Sequence, residues 1–117
     1  MAYTTINKPT EHFNTKLYTG NGSTNAITGV GFQPDFVWLK GRTGTAYYHQ
    51  IFDAIRGTTK ALFTPVTNAE ETVSGLTAFG SDGFTVGSSP TVNGNNIPTV
   101  SWNWKANGAG SANTDGS

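Results

Sequence analysis

The chain has 117 residues, which is enough for one domain with a hydrophobic core of its own. Seven basic and seven acidic side chains cancel, and the charged fraction of 12% is about half of the roughly 25% usual in soluble domains. The chain therefore lacks the excess of positive charge expected of a nucleic-acid-binding protein, and we predict no nucleic-acid partner. Cysteine is absent, which excludes disulfides, thiolate metal sites and thiol catalysis.

Neither the first residues nor the apolar runs predict membrane insertion. The sequence MAYTTINKP at the N-terminus lacks the apolar segment of a signal peptide. The longest apolar runs are far shorter than the roughly 20 residues that span a bilayer. We expect a protein that is made in the cytosol, or is assembled there into a larger particle.

Short runs of Thr and aromatic residues, punctuated by Gly, predict a series of β-strands. The predicted strands are at about 13–19, 26–32, 36–40, 45–52, 75–79, 84–87 and 97–105. In the first strand, alternation puts Phe13 and Leu17 on one face. The run Phe-Val-Trp-Leu-Lys at 36–40 is typical of a strand that is buried on both faces, so we expect Trp38 in the core.

The middle of the chain is less regular. Tyr47 and Tyr48 lie on opposite faces of their predicted strand, so one of them is expected to be exposed. The pattern weakens over residues 53–62. Residues 68–73 predict at most one helical turn, with Asn68 as a plausible N-cap.

Strands at roughly 8–12-residue spacing, with almost no helical periodicity, predict an all-β fold. The favoured architecture is an antiparallel β-sandwich of the jelly-roll type, and a closed barrel is the alternative. We divide the chain into an N-terminal arm at 1–12, the sandwich domain at 13–105, and a flexible Gly/Ser/Asn tail or linker at 106–117.

The last strand places Trp102 and Trp104 side by side on one face, with Ser101 and Asn103 on the other. Two large rings on one face either close a core or line a binding surface. We favour the core, because a sandwich with this many polar residues needs large apolar anchors. The alternative is that the two tryptophans contact a ligand or a partner.

Aromatic side chains are the main candidates for contact with a ligand or partner, since they stack on sugar rings and anchor interfaces. These candidates are Tyr47, Tyr48, Trp102 and Trp104.

Within residues 49–56, His49, Asp53 and Arg56 bring together a base, a carboxylate and a cation. In a hydrolase, His49 would be a general base oriented by Asp53. The Gly-x-Ser-x-Gly sequence of a nucleophile elbow does not occur, however. We favour an ion pair or turn cap between Asp53 and Arg56, with His49 packed nearby, and assign no catalytic residue.

The sequence Ser81-Asp82-Gly83 resembles part of a calcium loop but lacks the further acidic ligands that such a loop needs. We interpret Asp82 and Gly83 as a tight turn between strands, because both residue types tolerate positive φ. Residues 91–94, Thr-Val-Asn-Gly, carry a similar hairpin signal. No metal site and no cofactor is predicted.

Five segments together resemble a domain of tailed-bacteriophage virion proteins. They are YTGNG at 18–22, ITGVGFQPDFVWLK at 27–40, DAIRG at 53–57, FGSDGF at 79–84 and WNWKA at 102–106. The resemblance covers about residues 13–115. It implies a concanavalin-like (LamG- or SPRY-like) sandwich, a unit that is often found in tandem in tail-fibre-like and other structural proteins. This chain differs in ending after one unit, so the resemblance implies either a single-unit member or an excised piece of a longer protein.

The resemblance implies a non-enzymatic virion structural protein, tail-fibre-like or capsid-decorating, that acts through assembly with other capsid or tail proteins. It further implies a location in the virion and a homo-oligomer, for which a trimer is one arrangement. The first alternative is a module that binds a host-surface glycan. The second is a glycoside hydrolase, which needs two carboxylates at a defined separation.

Overall fold

The computed structural model describes residues 8–44, 47–64 and 66–106. The strands in these residues are β1 (Phe13–Thr19), β2 (Asn25–Ile27), β3 (Phe36–Gly41), β4 (Gln50–Asp53), β5 (Gly57–Phe63), β6 (Glu71–Thr72), β7 (Leu76–Gly80), β8 (Gly83–Val86) and β9 (Pro98–Trp104). A 3-10 turn at Pro9–Glu11 precedes β1, and one turn of helix, α1 (Pro90–Asn93), precedes β9.

The strands form two antiparallel sheets. The larger sheet has the order β1-β9-β3-β4-β5-β6, and the smaller has the order β2-β8-β7. The predicted all-β sandwich is therefore confirmed. No helix in the described part of the chain is long and apolar enough to cross a membrane.

The core lies between the two sheets and draws on both of them. Its buried members are Ile27, Val30, Phe32, Val37, Leu39, Phe52, Ala61, Leu76, Phe84, Val86 and Val92. The larger sheet contributes from β3, β4 and β5, and the smaller sheet contributes from all three of its strands. The larger sheet therefore has an inner face toward the core and an outer face on the opposite side.

The second strand is shorter than predicted, because the chain turns after Ile27. Gly29 and Gly31 adopt positive φ angles of 83° and 93°, which glycine reaches without steric cost. This turn takes Val30 and Phe32 into the core from a loop rather than from a strand. Two residues that supported the strand prediction are therefore core residues with another backbone conformation.

The region from 45 to 63 also differs from the prediction. The predicted strand at 45–52 begins only at Gln50, and residues 45 and 46 lie outside the described part. The weak pattern at 53–62 contains a strand, β5, that follows a tight turn. Gly57 starts this strand with a φ of 96°, which makes it the turn glycine of a hairpin.

The predicted helical turn at 68–73 is wrong, because Glu71–Thr72 pairs with β5 as an edge strand. The helical turn occurs instead at Pro90–Asn93, where a hairpin was predicted. Proline at the first helical position suits a helix start, and the Asn93 N–H donates to the Ser89 carbonyl at 2.9 Å.

Candidate functional site

Strand β9 alternates between fully buried polar residues and partly exposed tryptophans. Ser101 and Asn103 have no exposed surface, and they pair with the core residues of β3. They therefore lie on the inner face. Trp102 and Trp104 lie on the outer face of the larger sheet, each partly exposed.

The expectation that Trp38, Trp102 and Trp104 close the core is wrong. All three are partly exposed, and none belongs to the core cluster. The inner face of β9 tolerates polar residues because their side chains bond to the backbone of β1. Ser101 Oγ donates to the Lys16 carbonyl at 3.0 Å, and Asn103 Nδ2 donates to the Asn14 carbonyl at 3.0 Å.

Apolar side chains from five adjacent strands share this outer surface, which we call the aromatic face. It comprises Phe13, Leu17, Phe36, Trp38, Ile51, Leu62, Val100, Trp102 and Trp104. Among the residues that the structure describes, the smaller sheet packs on the inner face, and no strand or helix packs on the aromatic face.

Strand pairing orders the aromatic face into rows that run across the sheet. The central row is Thr15, Trp102, Trp38, Ile51 and Leu62, each paired with the next on the neighbouring strand. A second row joins Phe13, Trp104 and Phe36. The third row joins Leu17, Val100 and Lys40. Charge is thus absent from the central row.

The rings of the aromatic face hold each other in fixed orientations. Trp104 lies between Phe13 and Phe36, with centroid distances of 4.9 Å and 5.1 Å. Trp102 meets Trp38 edge to face at 6.0 Å and 71°. These separations fall within the usual range of favourable aromatic pairs. The aromatic face is therefore a preorganised surface.

Three tryptophans line a shallow groove of about 260 Å³ at the centre of the aromatic face. They are Trp38, Trp102 and Trp104. Exposed aliphatic side chains lie farther out on the aromatic face, with Leu17 54% exposed and Leu62 38% exposed. The aromatic face thus presents both a depression and projecting side chains.

His49 completes the aromatic cluster at one side of the groove. Its ring stacks on Trp102 at an interplanar angle of 3°, and its Nδ1 accepts a 2.8 Å hydrogen bond from Trp38 Nε1. Burial, followed by the positive charge of Lys40, lowers the pKa of His49. The neutral ring can accept the Trp38 bond, and the only polar atom of the Trp38 side chain is thereby occupied.

Asp53 and Arg56 form a structural turn between β4 and β5. Asp53 Oδ1 accepts from the N–H groups of Ile55 and Arg56 at 3.0 Å and 2.8 Å, and Oδ2 pairs with the Arg56 side chain. Partial burial acts to raise the pKa of Asp53, but the bonds and charge of Arg56 outweigh it and leave that pKa lowered. His49 bonds to Trp38 instead, so the structure does not pair it with Asp53.

Asp82 and Gly83 lie at the hairpin between β7 and β8. The Asp82 carboxylate accepts from the N–H groups of Gly29 and Gly31 at 2.9 Å and 2.7 Å, and these bonds lower its pKa. A Cβ on Gly83 would overlap the Ile27 carbonyl oxygen. Both residues therefore fix the loop after β2 against the hairpin.

Tyr47 and Tyr48 precede β4 and do not lie on a strand. Tyr48 is 52% exposed, and the carbonyl of Tyr47 accepts from Lys40 Nζ at 2.9 Å. The structure thus places Trp102 and Trp104 on one surface and leaves the two tyrosines in the loop that leads to it.

A family model described as "Domain of unknown function (DUF7483)" matches residues 8–117, nearly the whole chain. The chain belongs to this family. No curated protein and no solved structure matches it. The matched range of the DUF7483 domain includes both sheets and every residue of the aromatic face.

Sequence reasoning missed part of the aromatic face of this DUF7483 domain. Ile51 joins it through the pairing of β4 with β3, and Leu62 joins it through the pairing of β5 with β4, but β5 was not predicted. The sequence feature that could have revealed the aromatic face was the alternation in β1, where Phe13 and Leu17 share a face. Pairing with β9 sets those two side chains beside the tryptophans.

Proposed function

We propose that the chain is a non-enzymatic structural domain of a bacteriophage particle, tail-fibre-like or capsid-decorating, that assembles with other proteins through its aromatic face. The observation that carries this proposal is the outward position of three tryptophans on the larger sheet. Contiguous exposed apolar patches on soluble proteins mark interaction sites. Tryptophan is also enriched among the residues that dominate binding energy at interfaces.

The chemistry of the groove favours a protein partner. Its lining consists of three indole side chains, and the N–H of Trp38 is already donated to His49. Covering such a surface gains free energy chiefly by removing apolar area from water, about 25 cal/mol per Å². An apolar side chain of a partner can enter this groove while the Trp38 N–H keeps its bond to His49.

The virion setting rests on the five sequence segments that resemble phage structural domains. Low charge supports it, because seven basic and seven acidic residues allow many copies to pack closely without accumulating charge. Symmetric homo-oligomers are the most common assemblies of such parts.

A carbohydrate-binding module is the second candidate, favoured by tryptophan rings that a sugar could stack upon. A sugar also presents hydroxyl groups, which need hydrogen-bonding partners when they leave water. The groove lining supplies few of these, so we rank the glycan below a protein partner.

A glycoside hydrolase is a weaker candidate. The general acid of such an enzyme needs a raised pKa. Asp53 has a lowered pKa, and Arg56 bonds both to it and to Glu70 Oε2, the latter at 3.2 Å.

Particle composition tests the proposal. Phage particles are purified from a host that carries the gene, and the chain is quantified in them by mass spectrometry. We expect wild-type chain in every particle, and loss of incorporation for Trp102→Ala. Ile55→Ala is the matched control, because Ile55 is exposed in the β4–β5 turn outside the aromatic face.

Folding of each variant is checked by circular dichroism before incorporation is compared. Absence of wild-type chain from purified particles would contradict the virion proposal. Equal incorporation of Trp102→Ala and Ile55→Ala would contradict the role of the aromatic face. Saturable binding in a glycan array, lost in Trp102→Ala, would instead favour the carbohydrate-binding module.

A further inference from the structure

We propose that the occupant of the aromatic face is a second copy of this chain. Two copies pack with their aromatic faces together about a two-fold axis parallel to the strands, so that Leu62 of each copy enters the tryptophan groove of the other. The proposal rests on the proposed assembly function, because it assigns a partner to the same surface.

The aromatic face has the complementary parts that a symmetric interface requires. In a two-fold interface one patch must fit a copy of itself, so it needs both a depression and a projection. The groove between the tryptophans is the depression. Leu62, which is 38% exposed on β5, is a projection of the size of a single aliphatic side chain.

Strand register places the projection and the groove in line. Leu62 pairs with Ile51, Ile51 pairs with Trp38, and Trp38 pairs with Trp102. All four lie in the central row. Rotation about an axis parallel to the strands keeps each row over the same row of the second copy. Leu62 of the second copy therefore lies at the same position along the strands as Leu62 of the first copy, but at a different position across the sheet.

The position of the axis follows from the strand spacing. The groove lies at β9 and β3, and Leu62 lies on β5, about 10–14 Å away at ~4.8 Å per strand. The midpoint falls near β4, which carries Ile51. An axis there exchanges groove and projection, and brings Ile51 of each copy close to Ile51 of the other. Two facing sheets pack about 10 Å apart, which leaves room for one interdigitated layer of side chains.

The area of the aromatic face predicts a weak dimer. With the axis near β4, β1 of each copy lies beyond the edge strand of the other copy. The covered part is then four strands and three rows, about 18 by 20 Å, or roughly 360 Å² per copy and ~720 Å² for the pair. Stable complexes usually bury about 1,200–2,000 Å², so we expect a dissociation constant on the order of tens of micromolar. Copies held close together in a larger assembly would pair more strongly through their effective concentration.

The charges of the chain permit this pairing. The net charge is zero, so a second copy is not repelled as a whole. The central row carries no charged side chain, whereas Lys40 and Asp53 lie in the rows on either side. Asp53 is neutralised by its pair with Arg56. No unpaired charge has to enter the middle of the interface, where it would be most costly.

Sedimentation velocity on the full chain tests the proposal, over concentrations up to about 500 µM, roughly tenfold above the expected dissociation constant. We expect a concentration-dependent dimer for the wild type. Leu62→Glu should weaken dimerisation by roughly tenfold or more, because it removes apolar burial and adds a desolvated charge. Ala78→Glu is the matched control, since it adds the same charge to an exposed position on β7 of the other sheet.

A cross-linking measurement guards against misfolding of Leu62→Glu. The chain has no cysteine, so Ile51→Cys and Ala78→Cys each carry a single thiol. A short bis-maleimide should couple Ile51→Cys into a dimer and leave Ala78→Cys mostly monomeric. Equal coupling of the two would overturn the proposed geometry.

The remaining outcomes separate this proposal from the assembly function. A chain that stays monomeric over the whole range, forms a trimer, or dimerises equally well as Leu62→Glu overturns the self-pairing. If the chain is then still found in particles, and Trp102→Ala still abolishes its incorporation, the assembly function stands with another partner. If incorporation also fails, both proposals are wrong.

Discussion

The buried amide of Asn93 offers a sharp test of how the loops at one end of the sandwich are held. Asn93 has no exposed surface. Its Nδ2 donates to the carbonyls of Gly87, at 2.8 Å, and Ser23, and to Asn21 Oδ1 at 3.0 Å. Its Oδ1 accepts from Asn21 N and Asn25 Nδ2 at 3.1 Å and 3.2 Å. One side chain thus joins the β1–β2 loop to α1 and to the end of β8.

We expect Asn93→Ala to lower the free energy of unfolding by about 2–5 kcal/mol. The buried bond to Gly87 leaves an unsatisfied carbonyl, which costs roughly 1–3 kcal/mol. The bonds to the more exposed residues Asn21 and Ser23 contribute about 0.5–1 kcal/mol each, because water can replace them in part. The sum is a large share of the roughly 5–15 kcal/mol that stabilises a domain.

Urea unfolding, followed by tryptophan fluorescence and circular dichroism, measures this loss. The matched control is Asn95→Ala, two residues along and exposed, for which we expect a change within about 0.5 kcal/mol. A loss below about 1 kcal/mol for Asn93→Ala, with an unchanged denaturant slope, would show that the buried amide does not hold these loops together. Equal losses in both variants would show that the buried amide has no special role.

Three further predictions concern other named groups. Asp53→Ala should cost about 1–2 kcal/mol through loss of the turn bonds. Because the folded pKa of Asp53 is lowered, its contribution to the free energy of unfolding is present above the unfolded pKa near 4 and is lost as pH falls through the folded pKa. The free energy of unfolding of Asp53→Ala should therefore change less with pH in the acid range than that of the wild type. Because the folded pKa of His49 is lowered, the unfolded chain binds a proton at higher pH than the folded chain does. Protonation of His49 should therefore reduce the free energy of unfolding as pH falls below 6.5. Urea unfolding at several pH values checks this, and the effect should be absent in His49→Gln. Gly83→Ala should cost more than about 2 kcal/mol in thermal unfolding, because its Cβ would overlap the Ile27 carbonyl, whereas Gly80→Ala, with no such overlap, serves as the control.

Sequence patterns predicted those strands whose ends are set by turn residues next to them in the chain. Alternation and a following Gly-Asn-Gly turn predicted β1 with the bounds that the structure shows, Phe13–Thr19. The Asp-Gly turn likewise predicted the hairpin of β7 and β8. Strand β5 was missed because its apolar residues are few, and the turn before it depends on side-chain bonds of Asp53. The sequence predicted the pair of Asp53 and Arg56, but not that the turn they form leads into a strand.

The placement of the tryptophans shows a different limit. Alternation in β9 separates Trp102 and Trp104 from Ser101 and Asn103, but it does not say which set faces the core. That choice depends on which side the smaller sheet covers, and on bonds from Ser101 and Asn103 to the β1 backbone. Hydrophobicity alone favoured burial of the two tryptophans in the core. That prediction was wrong because hydrophobicity takes no account of the smaller sheet's position or of these bonds.

Assembly through the aromatic face is tested most directly by a cryo-electron microscopy reconstruction of the phage particle in which this chain is traced. We predict that the outer face of the larger sheet is covered by protein, with Trp102 and Trp104 buried in an interface. A second copy with Leu62 in the tryptophan groove is the arrangement that the self-pairing predicts. A chain whose aromatic face is exposed to solvent, and which is attached to the particle through the smaller sheet, would contradict assembly through the aromatic face.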